Sequence, residues 1–338
     1  MLKRRLCEAT FQWELTCKGP LLIRDGRYDC EKGSGKEGFP DCLFMSHLSK
    51  EELERVAGSC NNKPPNMLFY VPGTSIRGPF RALAERIIRS LLPEDAPPHL
   101  TACNPFEQED KKTLGCSTRF EKEKNNKSKY AAACSACKLF GCAGLASRIC
   151  FTDADIKSYK SVYREMVGID RFTGGAFQSN KGGALMRYHV LEDTMFTTTV
   201  TVVNFELWQL GLLAYVFRDF ENSLVPIGYG KTKGFGQVKG KITEITLTYP
   251  AIPTHIEHMG SLMAGATERD YYGINICEAP SFKDKEHFKQ KDNDGLSLYH
   301  SVTVTDIDAF WNKVAPSFNK YIEEIRAKIK HQAKEEIT

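Results

Sequence analysis

Four cysteines carry the most definite chemistry in this chain. Cys103, Cys116, Cys134 and Cys137 are spaced C-x12-C-x17-C-x2-C. A C-x-x-C pair brings two thiolates to one ion from a short turn, and two further thiolates can close a tetrahedron. The ion expected is structural Zn2+, because four thiolates leave no open position for a reacting water. Cys142 competes for the fourth position. The stretch around these residues has few apolar side chains, so a metal would have to hold it together. The remaining cysteines, Cys7, Cys17, Cys30, Cys42, Cys60, Cys150 and Cys277, read as core or incidental thiols.

Three glycine- and cation-bearing segments offer a different chemistry. In YVPGTSIRGPFRALAE, Gly73 permits a tight turn and Thr74 or Ser75 can cap a following helix. That helix would begin with Ser75, Arg77 and Arg81 beside free backbone amides, an arrangement suited to a phosphate. In GYGKTKGFGQVKGK, Gly228, Gly230, Gly234 and Gly236 allow close backbone approach, and Lys231, Lys233, Lys239 and Lys241 add positive charge without any acid. Phe235 can stack on a base or anchor the loop. No G-x-x-x-x-G-K-[ST] pattern is present, which excludes a P-loop nucleotide site. The third segment, VGIDRFTGGAFQSNKGGALMRYHV, has the glycines of a hairpin and presents Arg171, Phe172 and Thr173 near its turn.

The elements that must position these residues alternate in a recognisable order. Phe11, Trp13, Leu15 and Cys17 have the period of a half-buried strand. Ile76, Phe80, Leu83, Ile87 and Leu91 form one stripe of a helix over Ser75 to Leu92. Strand patterns follow at Ile149 to Thr152, Ala184 to Leu191 and Phe196 to Val203, then a helix carrying Leu207 to Phe220 and a last strand from Val238 to Leu247. Strand, helix, strands, helix, strand is the split βαβ plan, so the fold expected is α+β with an RRM- or ferredoxin-like core. Within a core of residues 1–250, an insertion with the cysteines occupies about 96–142, where RFEKEKNNKSK reads as an exposed or disordered hairpin tip, and a hairpin occupies about 167–190. Residues 251–338 read as an extension ending in a helix from Asp306 to about Lys334.

Bulk properties narrow the classes. Lys plus Arg number 46 against 42 Asp plus Glu, so the net charge of +4 does not by itself indicate a nucleic-acid partner. The basic start MLKRRLCEATFQWELT has no apolar run long enough for a signal peptide, and no stretch approaches the ~18 apolar residues of a membrane span. A soluble cytoplasmic protein with reduced thiols is expected.

The same segments resemble a known family in its own order. YVPGTSIRGPFRALAE is similar to the PGSSLKG-x-x-R element of the RAMP superfamily, and GYGKTKGFGQ resembles its glycine-rich loop. VGIDRFTGGA resembles the thumb hairpin of the Cas7-like backbone subunits of type III CRISPR effectors. CKLFGCAGLASRICFTDA, with Arg148, resembles their C-x-L-F-G-x-x-x-x-x-S-R-x-x-F-x-D-A stretch. The resemblance spans about residues 10 to 248, and the cysteine insertion is similar to zinc-containing type III-D and III-E members. It implies an RRM-like protein that binds guide crRNA and target RNA within a complex of other backbone and large subunits, with no membrane. Arg77, Arg81, Arg148, Arg171, Lys231 and Lys233 would contact RNA. The thumb, at Phe172, Thr173 and Ala176, would wedge into the guide–target duplex.

Family members that cut RNA place an aspartate in the loop between the first strand and the PGSSLKG helix. They use a divalent cation such as Mg2+ and the RNA's own 2′-hydroxyl. The resemblance therefore points to Asp41 first, in FPDCLFMS, then Asp29, then Asp25. The alternative is a subunit that binds without cutting. A stand-alone guide-processing endoribonuclease fits less well, since a thumb is present and about a hundred residues follow the glycine loop. His47 and His189, weighed as acid–base groups, have no partner at a telling spacing and read as structural.

Overall fold

The computed structural model describes residues 4–27, 40–59, 67–94, 96–104, 115–121, 126–176, 178–179, 182–183, 185–251, 253–263, 265–274, 280–281, 287–291 and 298–335. Alternation over FQWEL makes β1 (Glu8–Cys17), with Ala9, Phe11, Trp13 and Leu15 fully buried on one face. After a short helix α1 (Lys50–Ser59) and strand β2 (Phe69–Val71), the apolar stripe forms α2 (Gly73–Ser90). The cysteine region contains α3 (Cys116–Phe120), α4 (Asn126–Ala132) and α5 (Ser135–Phe140). Next come β3 (Ile149–Phe151), β4 (Ala154–Ile156) and β5 (Ser158–Val167), with two short strands β6 (Gln178–Ser179) and β7 (Gly182–Gly183). Strand β8 (Leu185–Val203), helix α6 (Leu207–Glu221) and strand β9 (Val238–Tyr249) complete the core. Beyond it lie α7 (Met259–Leu262), α8 (Ala266–Tyr272), β10 (Phe288–Gln290), β11 (His300–Val304) and α9 (Ile307–Glu335).

The main sheet runs β10-β11-β9-β1-β8-β3, all antiparallel. Its inner order, β9-β1-β8-β3, places the last core strand beside the first, which is the ferredoxin-like arrangement expected. Helices α2 and α6 cover one face through aromatic contacts: Trp13 meets Phe80 at 5.7 Å and Phe220 at 4.9 Å, and Phe11 meets Phe217 at 5.3 Å. Each such ring, taken out of water, stabilises the fold by about 2–3 kcal/mol. On the other face the register aligns Thr10, Gln12 and Glu14 with Thr201, Thr199 and Thr197, and brings Lys241 and Lys239 beside Glu14 and Thr16. That face is polar, and Lys239 and Lys241 stand on it, outside the glycine loop with which their sequence groups them.

Several expectations are corrected. Strand β8 is one 19-residue strand where the sequence suggests two. Asp193, at φ 50°, makes a bulge where the register against β5 shifts, and the chain resumes its direction without a turn. The first half of β8 pairs with β5 and the second with β1, so a single strand joins the sheet to the hairpin. RFEKEKNNKSK is no hairpin tip in its second half, since helix α4 begins at Asn126 and buries Tyr130. Residues 122–125 of that stretch lie outside the described residues. Past Pro250, β11 pairs with β9 and extends the core sheet. Helix α9 packs along α6, with Trp208 and Tyr321 stacked at 4.0 Å. Gly211 allows that approach, because a Cβ there would lie 2.8 Å from the carbonyl oxygen of Val314.

Candidate nucleic-acid interface and metal centre

Three segments distant in sequence are laced to the root of the β5–β8 hairpin. The chain leaving β1 pairs through Leu21 with Leu191 at 2.8 and 2.9 Å. The segment around Asp41 lies against β8, with Asp41 N to Arg187 O at 2.8 Å and His189 N to Cys42 O at 2.9 Å. The glycine-rich loop closes over Leu22 and Pro20, which accept from Tyr229 N at 2.7 Å and Gly236 N at 2.8 Å. Gly236 adopts φ 77°, and a Cβ there would fall 1.8 Å from the Ile227 carbonyl oxygen, so this crossing requires glycine.

Arg24, Lys231 and Lys233 are exposed cations of this edge. Arg24 lies over the Tyr229 ring at 5.8 Å, and Lys233 lies over Tyr188 at 4.5 Å and donates to its hydroxyl at 2.5 Å. Partial burial and nearby Arg86 lower the Lys231 ammonium from its usual range. Phe235 is the anchor of the loop: it is 3% exposed and packs edge-on to Tyr188 at 5.8 Å, leaving no face for a base. Arg24 escapes sequence reasoning because it stands alone beside Asp25, and only the fold brings it to the loop.

The three aspartates have separate fates. Asp25 is fully buried, and its carboxylate is bound by Arg27 through Nε at 2.9 Å and Nη2 at 2.6 Å. It cannot meet a substrate. Asp29 lies outside the described residues. Asp41 is half-buried; its Oδ2 accepts from Arg187 N at 2.5 Å, and its other oxygen has no partner among the described residues. One oxygen is thus fixed by the backbone of β8. His189 is structural, with Nδ1 accepting from Phe44 N at 3.4 Å and Nε2 within 2.7 Å of Ser161 Oγ. Burial drives its imidazolium down to about 3. His47 is half-exposed, stacked on Tyr70 at 4.3 Å and 3.0 Å from Asp155.

The hairpin tip is held by Asp170, whose Oδ1 accepts from Phe172 N at 2.7 Å and Thr173 N at 3.1 Å. Those two amides lower the Asp170 carboxyl from its usual range. Around this Asx turn the apolar side chains face solvent: Phe172 is 101% exposed, Ile169 70% and Val167 52%. Arg171, Thr173 and Ala176 are exposed beside them.

The start of α2 departs from expectation. Pro72 occupies the capping position, neither Thr74 nor Ser75 caps, and Ser75 N donates to Pro72 O at 2.8 Å. The Gly73 amide, the first of the helix, is taken by Asp153 Oδ1 at 2.7 Å. Arg77 and Arg81, expected on a phosphate edge, turn toward the cysteine region. Arg77 Nη2 donates to Phe140 O, and Arg81 Nη1 to Gly141 O at 3.1 Å. These carbonyls end helix α5, and the guanidinium groups satisfy them and complement the helix dipole. Arg148 is turned inward too, over the Tyr130 ring at 4.2 Å and bonded to Asn204 O at 2.5 Å. Local spacing could place these arginines on a helix or strand but not reveal what lay opposite.

The four cysteines meet as their spacing suggests. The sulfurs of Cys103, Cys116, Cys134 and Cys137 are buried and all within 4.8 Å of one another. Cys103 Sγ is 3.6 Å from that of Cys134 and 3.7 Å from that of Cys137. Tetrahedral ligands at the usual Zn–S bond length of ~2.3 Å stand about 3.8 Å apart, so the set fits a zinc-like ion. Backbone amides already point at the sulfurs: Cys116 N at Cys103, Cys134 N at Cys116 and Cys137 N at Cys134, at 3.5, 3.3 and 3.3 Å. Donation from Cys116, Cys134 and Cys137 pulls the Cys103 thiol far down, and Cys103 pushes those three up. A bound divalent ion would favour the thiolate form of all four. Cys142 lies outside the set, beside Cys137.

An antiparallel ferredoxin-like core thus carries a glycine-rich basic loop and a projecting hairpin at one edge. The family model of the RAMP superfamily matches residues 14–239, and the chain belongs to that superfamily, which marks it as a CRISPR-associated RNA-binding subunit. A search of curated proteins finds no match. Among the described residues, no helix is long and apolar enough to cross a membrane.

Proposed function

We propose that this chain is a guide-binding backbone subunit of a type III CRISPR ribonucleoprotein, and that it cleaves target RNA through Asp41. One observation carries the reading: Asp41, the cations of the glycine loop and the root of the hairpin are gathered on one sheet edge, where one Asp41 oxygen has no partner among the described residues. Arg24, Lys231 and Lys233 would hold guide phosphates, and Phe172 with Ile169 and Val167 would separate base steps of the duplex.

In the reaction the target's 2′-hydroxyl oxygen attacks the adjacent phosphorus and the 5′-oxygen leaves, giving a 2′,3′-cyclic phosphate and a 5′-hydroxyl. The nucleophile is already tethered beside the phosphorus, so removal of the 2′-hydroxyl proton to solvent, return of a proton from solvent to the leaving 5′-oxygen, in-line orientation and charge neutralisation remain. Asp41 would hold a divalent cation such as Mg2+, which supplies charge neutralisation at the phosphate when bound. The amide of Arg187 keeps the carboxylate oriented. Zinc held by the four thiolates would have a structural part, and residues 251–338 would form a subunit-specific extension.

Replacing Asp41 with Ala in a reconstituted complex tests the assignment. Cleavage opposite this subunit should disappear while guide and target binding persist; unchanged cleavage removes Asp41 from the reaction. The Arg187 amide bond to Asp41 also favours a second reading, in which the carboxylate only pins the loop to β8 and the subunit binds without cutting. In that case the same variant leaves no cleavage to lose and lowers stability instead.

A further inference from the structure

We propose that Arg81 is an outer-sphere partner of the metal held by the four cysteines, and that helix α2 is the rack on which this centre is mounted. The inference rests on the metal reading given above. Arg81 spreads its guanidinium over three acceptors: Nε on Glu85 Oε1 at 2.7 Å, Nη1 on Gly141 O at 3.1 Å and Nη2 on Cys137 Sγ at 3.6 Å. Only the last is a metal ligand. Four residues one turn apart, Arg77, Glu85 and Arg89 with Arg81, form a single stripe of α2 directed at the cysteine region.

Arg77 holds the Phe140 carbonyl, just beyond the C-x-x-C turn. Arg89 holds the other arm, with Nε on Ala102 O and Nη2 on Cys103 O, both at 3.1 Å. Glu85 joins the two grips, accepting from Arg81 at 2.7 Å and from Arg89 at 3.4 Å. Two of the three stretches that deliver ligands, those of Cys103 and of the Cys134–Cys137 turn, are therefore clamped by one helix.

Charge gives the stripe its chemical sense. A divalent ion with four thiolates has a net charge of about minus two, costly to bury without donors. Three backbone amides supply dipoles, and Arg81 is the full positive charge that touches a ligand sulfur. Donors of this kind fix ligand orientation, and losing one typically costs about 10–100-fold in metal affinity. Metal occupancy and the order of α2 are coupled for the same reason: releasing the ion frees Cys137 and the two clamped arms together.

The test uses the full chain, purified with zinc and separately loaded with Co2+. Arg81→Met should release zinc to a chromophoric chelator about 10–100-fold more readily. It should also move the thiolate-to-Co2+ charge-transfer band to lower energy, since a sulfur without its donor gives up charge more easily. Arg89→Met, which grips a carbonyl and no sulfur, should lower stability and leave the band in place. Arg81→Gln, which also removes the charge, gives the same readout should the methionine variant not fold. Chelation of the wild type should speed amide exchange across residues 73–90 more than across α6. Wild-type chain without stoichiometric metal overturns the metal reading and this inference with it. Bound metal with an unmoved band and unchanged release in both Arg81 variants overturns the inference alone.

Discussion

Lys233 reaches across 45 residues of sequence to donate to the Tyr188 hydroxyl at 2.5 Å, tying the glycine-rich loop to the strand that becomes the hairpin. The hydroxyl's partial negative charge and the ring face below it favour the protonated amine, and the side-chain hydrogen bond to Tyr188 raises Lys233 from its usual range. A charged, pre-positioned donor thus stands at the junction of the loop and the hairpin.

Lys233→Ala should weaken RNA binding uniformly across sequences. One fewer phosphate contact lowers the dependence of log K on log salt by about one unit or slightly less. Filter binding of guide RNA by the assembled complex over a salt series measures it, and an unchanged slope removes Lys233 from the phosphate contacts. Tyr188→Phe should give a smaller loss in the same direction.

His189 makes stability depend on pH. Its folded value, about 3, lies below the ~6.5 of an unfolded histidine, so the unfolded state binds more protons between those values. The stabilisation is complete above about pH 6.5 and is lost as pH falls toward 3, to the extent of a few kcal/mol. His189→Gln should be less stable at pH 8 and should flatten this limb. Urea unfolding at pH 8, 6 and 4 compares the two slopes.

Gly236→Ala should be among the most damaging single-atom changes. The methyl meets the Ile227 carbonyl oxygen at 1.8 Å and the backbone sits at φ 77°, so the loop must move off Pro20 and Leu22. A loss of about 2–4 kcal/mol in thermal or urea unfolding is expected, together with loss of RNA binding. Gly234→Ala shares the positive φ without the clash and should cost less.

Phe172→Ser should separate function from stability. The ring is fully exposed, so the melting temperature should stay within about a degree, as for other surface changes. Target-duplex geometry should change instead, read as altered chemical reactivity of the unpaired bases in the complex. A large loss of stability would show the ring packed where the structure has it free.

Much of the architecture was legible from local pattern. The alternation in FQWEL, the stripe from Ile76 to Ile87 and the C-x-x-C turn depend on neighbours three or four residues away, and periodicity records such neighbours. The β8 bulge was hidden because Asp193 and Thr194 are ordinary turn residues, and only the pairing of β5 and β1 on either side keeps the strand whole. Strands β10 and β11 were hidden because they are three and five residues long, too short for alternation to stand out, and join a sheet already formed.

For the candidate site the division is sharper. Residue type and spacing by themselves determined that four cysteines form one cluster, that a cation-rich glycine loop and an exposed hairpin exist, and in what order they come. Tertiary structure decided what each side chain meets. It sealed Asp25 under Arg27, tied one oxygen of Asp41 to the Arg187 amide, buried Phe235, and turned Arg77 and Arg81 from the expected phosphate edge to the cysteine centre. Periodicity fixes a side chain's direction from its own element, whereas its partner is set by long-range packing, here across 60 residues between Arg81 and Gly141.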